Sequence, residues 1–286
     1  MLWFVLFICL AMLLIATFTD LKSLEVPDWL THGGIILGVL LGLFFSLLNW
    51  SIWPLALSLA GLAITFAIAC LMFYTGQWGG GDAKLLMAMG ALIGFELNPF
   101  SFGVSFLVNL VFLGGIWGIA WSVYLALRSR AKTWKVFKKI RQEPKYRRVR
   151  AASVVTTTIL LVLSFFWTEV QVPLVVLAIL VYLLAILVIF TKSVELSAME
   201  QWVTPDKLTE GDWLVKPVKA GGKTISPQKT GLAQEQVDLL KKAYKHKKID
   251  KVLVKYGVPF VPAFLLAFLA TLGVGNIALL LLTVAP

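Results

Sequence analysis

Basic residues are missing from most of this chain. None occurs before Lys22, between Lys22 and Lys84, between Lys84 and Arg128, between Arg150 and Lys192, or after Lys255, and only 14% of the 286 residues are charged at all. Cysteine and histidine are almost as scarce, at two each. Cys9 and Cys70 both sit inside apolar runs and read as small core residues, which leaves no disulfide framework and no Cys-x-x-Cys pair. With only His32 and His246 besides, a protein-bound zinc centre is not expected. No Walker-type spacing is present to cradle a phosphate, and nothing else in the sequence calls for a cofactor.

What fills the chain instead is apolar: 59% of residues are hydrophobic, in long blocks without amphipathic spacing. That composition excludes a water-soluble globular domain and belongs to membrane proteins. Eight blocks stand out, at 1–18, 33–48, 52–75, 85–97, 102–127, 151–167, 172–190 and 258–284. A helix needs about 18–20 such residues to cross roughly 30 Å of hydrocarbon. The expected fold is therefore an all-α polytopic membrane protein with about eight transmembrane helices, six at the fewest. The first block lacks a basic start and an A-x-A-like cleavage site, so it reads as a retained span.

All 26 Lys and Arg residues fall in four segments: the loop after the first block, the start of the fourth, 128–150 and 192–255. Two blocks separate each segment from the next, so sequential crossing puts all four on one membrane face. The positive-inside rule makes that face cytoplasmic and both termini extracytoplasmic. The segment 128–150 holds 11 basic residues against the single acid Glu143, and Trp134, Phe137 and Tyr146 are interleaved among them. This pattern suits an interfacial amphipathic helix attracted to anionic membrane lipids, not to nucleic acid. The segment 191–257, with Pro205, Pro217, Pro227 and the Gly221-Gly222 turn, reads as a small cytoplasmic domain of a few strands followed by a helix. In that helix Val237, Leu240 and Ala243 share one face. The domain plan is then a transmembrane core over 1–127, a basic loop over 128–150, two further spans over 151–190, the cytoplasmic domain over 191–257 and a last span over 258–286.

Ionisable groups at the edge of spans are costly, and each is a candidate for function. Asp20 ends the first apolar block, and Asp82 opens the fourth within Trp78-Gly79-Gly80-Gly81-Asp82-Ala83-Lys84. Charge bookkeeping puts both at one membrane depth. Two carboxylates held together cannot both ionise easily, so one keeps a proton and the pair can act as acid and base on a shared water. Each has a plainer reading: Asp20 as a span terminus, Asp82 as a helix N-cap. Gly79, Gly80 and Gly81 would allow positive φ and close approach of another backbone. Lys22 and Lys84 read as interface anchors or as partners that keep a nearby Asp ionised.

The stretch Asp20-Leu21-Lys22-Ser23-Leu24-Glu25-Val26-Pro27, with Pro27 seven positions after Asp20, resembles the first catalytic motif of the type IV prepilin peptidases and archaeal preflagellin peptidases. Gly79-Gly80-Gly81-Asp82 resembles their second, the GxGD motif. Leu208-Thr209-Glu210-Gly211-Asp212 and Gly257-Val258-Pro259-Phe260-Val261-Pro262-Ala263 resemble segments of the archaeal members, and the four-cysteine motif of the bacterial enzymes is missing. The resemblance implies an aspartyl endopeptidase with Asp20 and Asp82 as catalytic carboxylates, assisted by Gly79, Gly80, Gly81, Lys84, Lys22 and Pro27. It also implies that the substrate is a pilin-like or archaellin precursor cut at the cytoplasmic face. Local acids such as Glu25 and Asp28 would offset the net charge of +11 toward a basic leader. The alternatives are a presenilin-like protease, for which no Pro-Ala-Leu triplet is present, and an ion or proton transporter using the embedded aspartates.

Overall fold

The computed structural model describes residues 2–284. Along the chain run α1 (Leu2–Ser23), α2 (Asp28–Leu48), α3 (Trp53–Tyr74), α4 (Gly80–Ile93), α5 (Phe102–Arg128), α6 (Arg130–Gln142), α7 (Pro144–Phe166) and α8 (Gln171–Val194). Then come the short strands β1 (Glu200–Val203), β2 (Trp213–Leu214), β3 (Val218–Ala220) and β4 (Lys223–Ile225), α9 (Gln234–Lys245), β5 (Val252–Lys255), α10 (Val261–Val274) and α11 (Ile277–Val284). Among the described residues six helices are long and apolar enough to cross a membrane, and α10 with α11, bent by 46°, makes a seventh if the pair is one span. The chain is an all-α, multi-pass membrane protein.

The fourth apolar block is where the count falls below eight. Its helix, α4, starts earlier than the apolar run, at Gly80, and stops at Ile93 because Gly94 turns the chain with φ of +73°. Fourteen residues rise only about 21 Å, short of the hydrocarbon thickness. A helix that short persists because α2, α3 and α1 surround it: Ala83, Leu85, Leu86, Ala88, Met89 and Ala91 are all buried. Small residues bring the backbones together. A Cβ on Gly61 would land on the Gly90 carbonyl, and Ser58 donates to the carbonyl of Ala91 at 2.7 Å.

The described residues form two compact units, one up to Ala120 and again from Val203 onward, the other Trp121–Trp202. In the first, α1 packs on α10 and α4, and Phe106, Phe264 and Phe268 fill the core between helices. The other end of α10 is fixed by Asn109 of α5: its Nδ2 donates to Thr271 Oγ1 and to the Gly275 carbonyl, and its Oδ1 accepts from the Ile277 amide, so the kink before α11 has its backbone groups satisfied.

The same unit carries an extramembrane lobe. β2 pairs antiparallel with β5 and β3 with β4. The helix α9 turns Val237, Leu240 and Ala243 inward, the face that the sequence spacing marks, onto Leu208, Leu214, Ile225 and Val252. A strand, β5, follows the helix before α10.

The second unit is an α7–α8 hairpin with α6 beside it. Its buried cluster is small: Ile140, Tyr146 and Ile189, with Thr133 and Ser197 hydrogen-bonded at 2.8 Å. Trp134 stacks on Phe137 and Lys138 lies over the Trp134 ring, so the basic stretch is helical and interleaved with aromatics.

Candidate functional site: a pair of aspartates at one end of the bundle

The first motif folds as a tight helix–turn–helix. The α1 helix runs three residues past Asp20, to Ser23, and is closed by Leu24 in the left-handed region (φ 58°), whose amide donates to the Asp20 carbonyl at 2.8 Å. Pro27 stands at the N-cap of α2, and its carbonyl accepts from the Leu30 amide. Between them Val26 is buried and leans on the second motif: a Cβ added to Gly81 would sit 3.2 Å from the Val26 Cβ. That approach is the physical use of Gly81. Gly79, Gly80 and Gly81 are absent from the residues with positive φ, so backbone handedness does not account for them, and close packing does so at Gly81 alone.

Asp20 is 5% exposed and Asp82 half-buried. Asp82 is the third residue of α4, not its N-cap: Gly79 holds that place, and the Asp82 carboxylate folds back to accept from the Gly79 amide at 3.3 Å. Its backbone amide and carboxylate are thus set by the first turn of the helix, where negative charge is also favoured by the helix dipole. The two carboxylates, 62 positions apart, lie close enough for the charge of one to act on the other.

Asp20 finds its partner much further along the chain. Its Oδ2 accepts a hydrogen bond from the Val261 amide at 2.9 Å, with the Phe260 amide also turned to it, so Asp20 caps the N-terminus of α10 across 241 residues. Pro259 and Pro262 have no N–H of their own, and the Ala263 amide turns back to the Phe260 carbonyl. The Val261 amide is therefore a donor that nothing else in that turn takes up. One turn before Asp20, Thr17 Oγ1 is the one buried side-chain polar atom among the described residues that has no hydrogen-bond partner.

The lysines lie elsewhere than against the pair. Lys84 makes an ion pair with Asp28 at 2.6 Å, tying the start of α4 to the start of α2. Lys22 is exposed and sits over the Phe18 ring. The lobe approaches the same rim: a Cβ on Gly76 would meet Lys229, and Glu25 lies near enough to Asp212 for its charge to act there. Burial chiefly, with that neighbouring charge, pushes the Asp212 carboxyl above the usual range, although its oxygen accepts from the Thr209 amide at 2.9 Å.

Sequence reasoning flagged the segment Gly257 to Ala263 by resemblance but gave it no contact. The paired prolines around the two amides of Phe260 and Val261 were the available signal. Trp117, which bonds that turn, carried no signal beyond being aromatic in an apolar chain.

Known proteins resemble part of the molecule. Three are named preflagellin peptidase: one from Methanococcus voltae is 42% identical over 81 residues, 28% of this chain and 34% of that one. The one from Methanocaldococcus jannaschii is 33% identical over 101 residues, 35% of this chain and 43% of that one. The third, from Methanococcus maripaludis, is 32% identical over 142 residues, 44% of this chain and 60% of that one. The chain thus spans between about a third and three fifths of the length of these relatives. No solved structure matches it at a significant level. Over residues 7–119, the stretch that contains Asp20 and Asp82, this chain matches the Type IV leader peptidase family, the resemblance that its two motifs carry.

Proposed function

We propose that this chain is a membrane aspartyl endopeptidase that removes the leader from pilin-like or archaellin precursors at the cytoplasmic membrane face. The observation that carries the reading is the convergence of Asp20 and Asp82, each with a backbone amide fixed on it, at one end of the bundle. The match to the leader peptidase family covers both residues, and the curated relatives are named for cleaving preflagellin.

In this reading two carboxylates in a common field share one proton. The ionised partner takes a proton from water as the water attacks the scissile carbonyl, and the protonated partner donates to the carbonyl oxygen. The roles reverse as the tetrahedral intermediate collapses and the new amine receives a proton. The fixed amides keep each carboxylate from wandering between steps, which limits the reorganisation the reaction requires. The turns at 24–27, after α1, and at 75–79, before α4, form the rim where an extended leader would lie before its hydrophobic segment enters the lipid. Lys22 and Lys84, the basic residues beside the two motifs, assign that rim to the cytoplasm by the positive-inside rule.

The test is cleavage of a full-length preflagellin-type precursor by the purified chain in detergent, followed by mass. Asp20→Asn and Asp82→Asn each remove at least about 10²–10⁴-fold of the rate, the usual worth of a positioned acid or base, while the protein still inserts and folds. An Asp20→Asn variant that processes precursor normally would sink the assignment.

A further inference from the structure

The amide that Asp20 caps is held in place by contacts outside both motifs. The Trp117 indole Nε1 donates to the Pro259 carbonyl at 2.7 Å, two residues before Val261. The Phe260 ring rests on α5 one turn away, where a Cβ on Gly114 would meet it at 2.7 Å. From the other side Trp78, the residue just before the Gly79-Gly80-Gly81-Asp82 run, packs on Phe260 with ring centroids 5.5 Å apart and on Phe264 at 5.6 Å. The turn that faces Asp20 is therefore gripped between α5 and the loop that leads into the helix of Asp82.

These contacts matter because the turn has little else to fix it. Pro259 and Pro262 remove two backbone donors, and Phe260 precedes the first residue of α10. A rotation of the Pro259–Phe260 peptide would turn the Phe260 amide away from Asp20, and loosen the Val261 amide that follows it, without breaking any regular helical bond. The Trp117 N–H bonds the carbonyl at the start of that rotation, and the tilted Trp78 ring blocks the sweep of Phe260.

We propose that Trp117 is a positioning residue for Asp20: by holding the Pro259 carbonyl it fixes the peptide whose Phe260 amide faces Asp20 and which leads into the Val261 amide on the carboxylate, with Trp78 clamping the same turn from the Asp82 side. The proposal rests on the proteolytic reading above and deepens it, because it makes the first turn of α10 a third component of the site beside the two aspartate motifs. Trp117 acts through the Pro259–Phe260 peptide.

The experiment is steady-state cleavage of a synthetic precursor peptide by the full chain in detergent, comparing wild type with Trp117→Phe, which keeps a ring and loses the N–H. Loosening of Asp20 lowers kcat by roughly tenfold to a hundredfold and leaves KM within about twofold, since the substrate rim is untouched. Thr271→Val serves as the control, because it weakens the Asn109 clip at the far end of the same helix and should lower thermal stability without changing kcat. A Trp117→Phe enzyme with wild-type kcat overturns the proposal, and so does a Thr271→Val enzyme that loses kcat in proportion to its stability, since a merely structural role would explain both. An intact precursor with wild-type protein overturns the proteolytic reading and this inference together. A wild type that cleaves, an inactive Asp20→Asn and a fully active Trp117→Phe overturn this inference alone.

Discussion

The two compact units are built from the same kinds of residue and use them differently. In the first, the span α1 has 39% of its most apolar window buried against protein, and α4 is almost wholly enclosed. In the second, α7 has 11% and the span that includes α8 has 17%. Phe165, Phe166 and Val172 are exposed, as are Leu183 and Leu184, and a membrane would cover them with lipid. Lipid tails are as apolar as leucine, so exposure of this kind costs nothing there and gives nothing to hold helices together. The first unit instead spends glycine, serine and backbone contact on bringing α2, α3 and α4 together. The comparison teaches that rigidity is concentrated where two carboxylates have to be held, and that apolar composition alone does not reveal it.

The sharpest way to break that comparison is to overfill the first unit. Gly90→Val would drive side-chain atoms into Thr65 and the Gly61 backbone, and overpacking of this sort costs about 1–3 kcal/mol. The expected outcome is a thermal unfolding midpoint in detergent well below wild type, with cleavage falling as the seat of Asp82 shifts. An unchanged midpoint would mean that α3 and α4 are not in close contact.

A paired truncation sharpens it. Leu86→Ala empties a fully buried site on α4, and Leu183→Ala trims a side chain that is 53% exposed on α8. The first should cost roughly 2 kcal/mol through its cavity, and the second under about 0.5 kcal/mol. Equal losses, measured by the same unfolding assay, would abolish the distinction between the units.

The smallest effect concerns the lobe and is read against pH. Burial and the nearby Glu25 charge raise the Asp212 carboxyl above its ordinary value. A carboxyl raised in the folded state binds protons more readily folded than unfolded, so the folded lobe gains stability as pH falls from neutral toward the ordinary Asp range near 4 and loses it as pH rises through the raised value. Asp212→Asn keeps an oxygen to accept from the Thr209 amide and removes the charge. The expected outcome is a flatter dependence of the lobe's unfolding midpoint on pH, with a higher midpoint at neutral pH. A variant as pH-sensitive as wild type would remove Asp212 as the cause.

Much of this was legible from one sequence because it rests on local rules. Long apolar runs require helices in a membrane, since every backbone group in lipid must be satisfied within its own segment. The amphipathic spacing of α9 fixes Val237, Leu240 and Ala243 on one face whatever they pack against. Asp20 and Asp82 stand out because ionisable groups at span edges are rare and costly. The fourth block, 85–97, is visibly short for a crossing, which allows a half-embedded helix, but what encloses α4 was not legible, since a run of apolar residues looks alike whether lipid or other helices surround it.

The sequence by itself determined a polytopic helical membrane protein, a lobe with an inward-facing α9, and two carboxylates worth pairing. The tertiary structure decided what holds them: Val26 pressed on Gly81, Lys84 joined to Asp28, and the Val261 amide turned to Asp20 with Trp117 and Trp78 around it. Those contacts join residues 55 to 241 positions apart. No local pattern encodes them, because a backbone amide has no side chain to announce it and a lysine's partner is chosen by distance after the helices have packed.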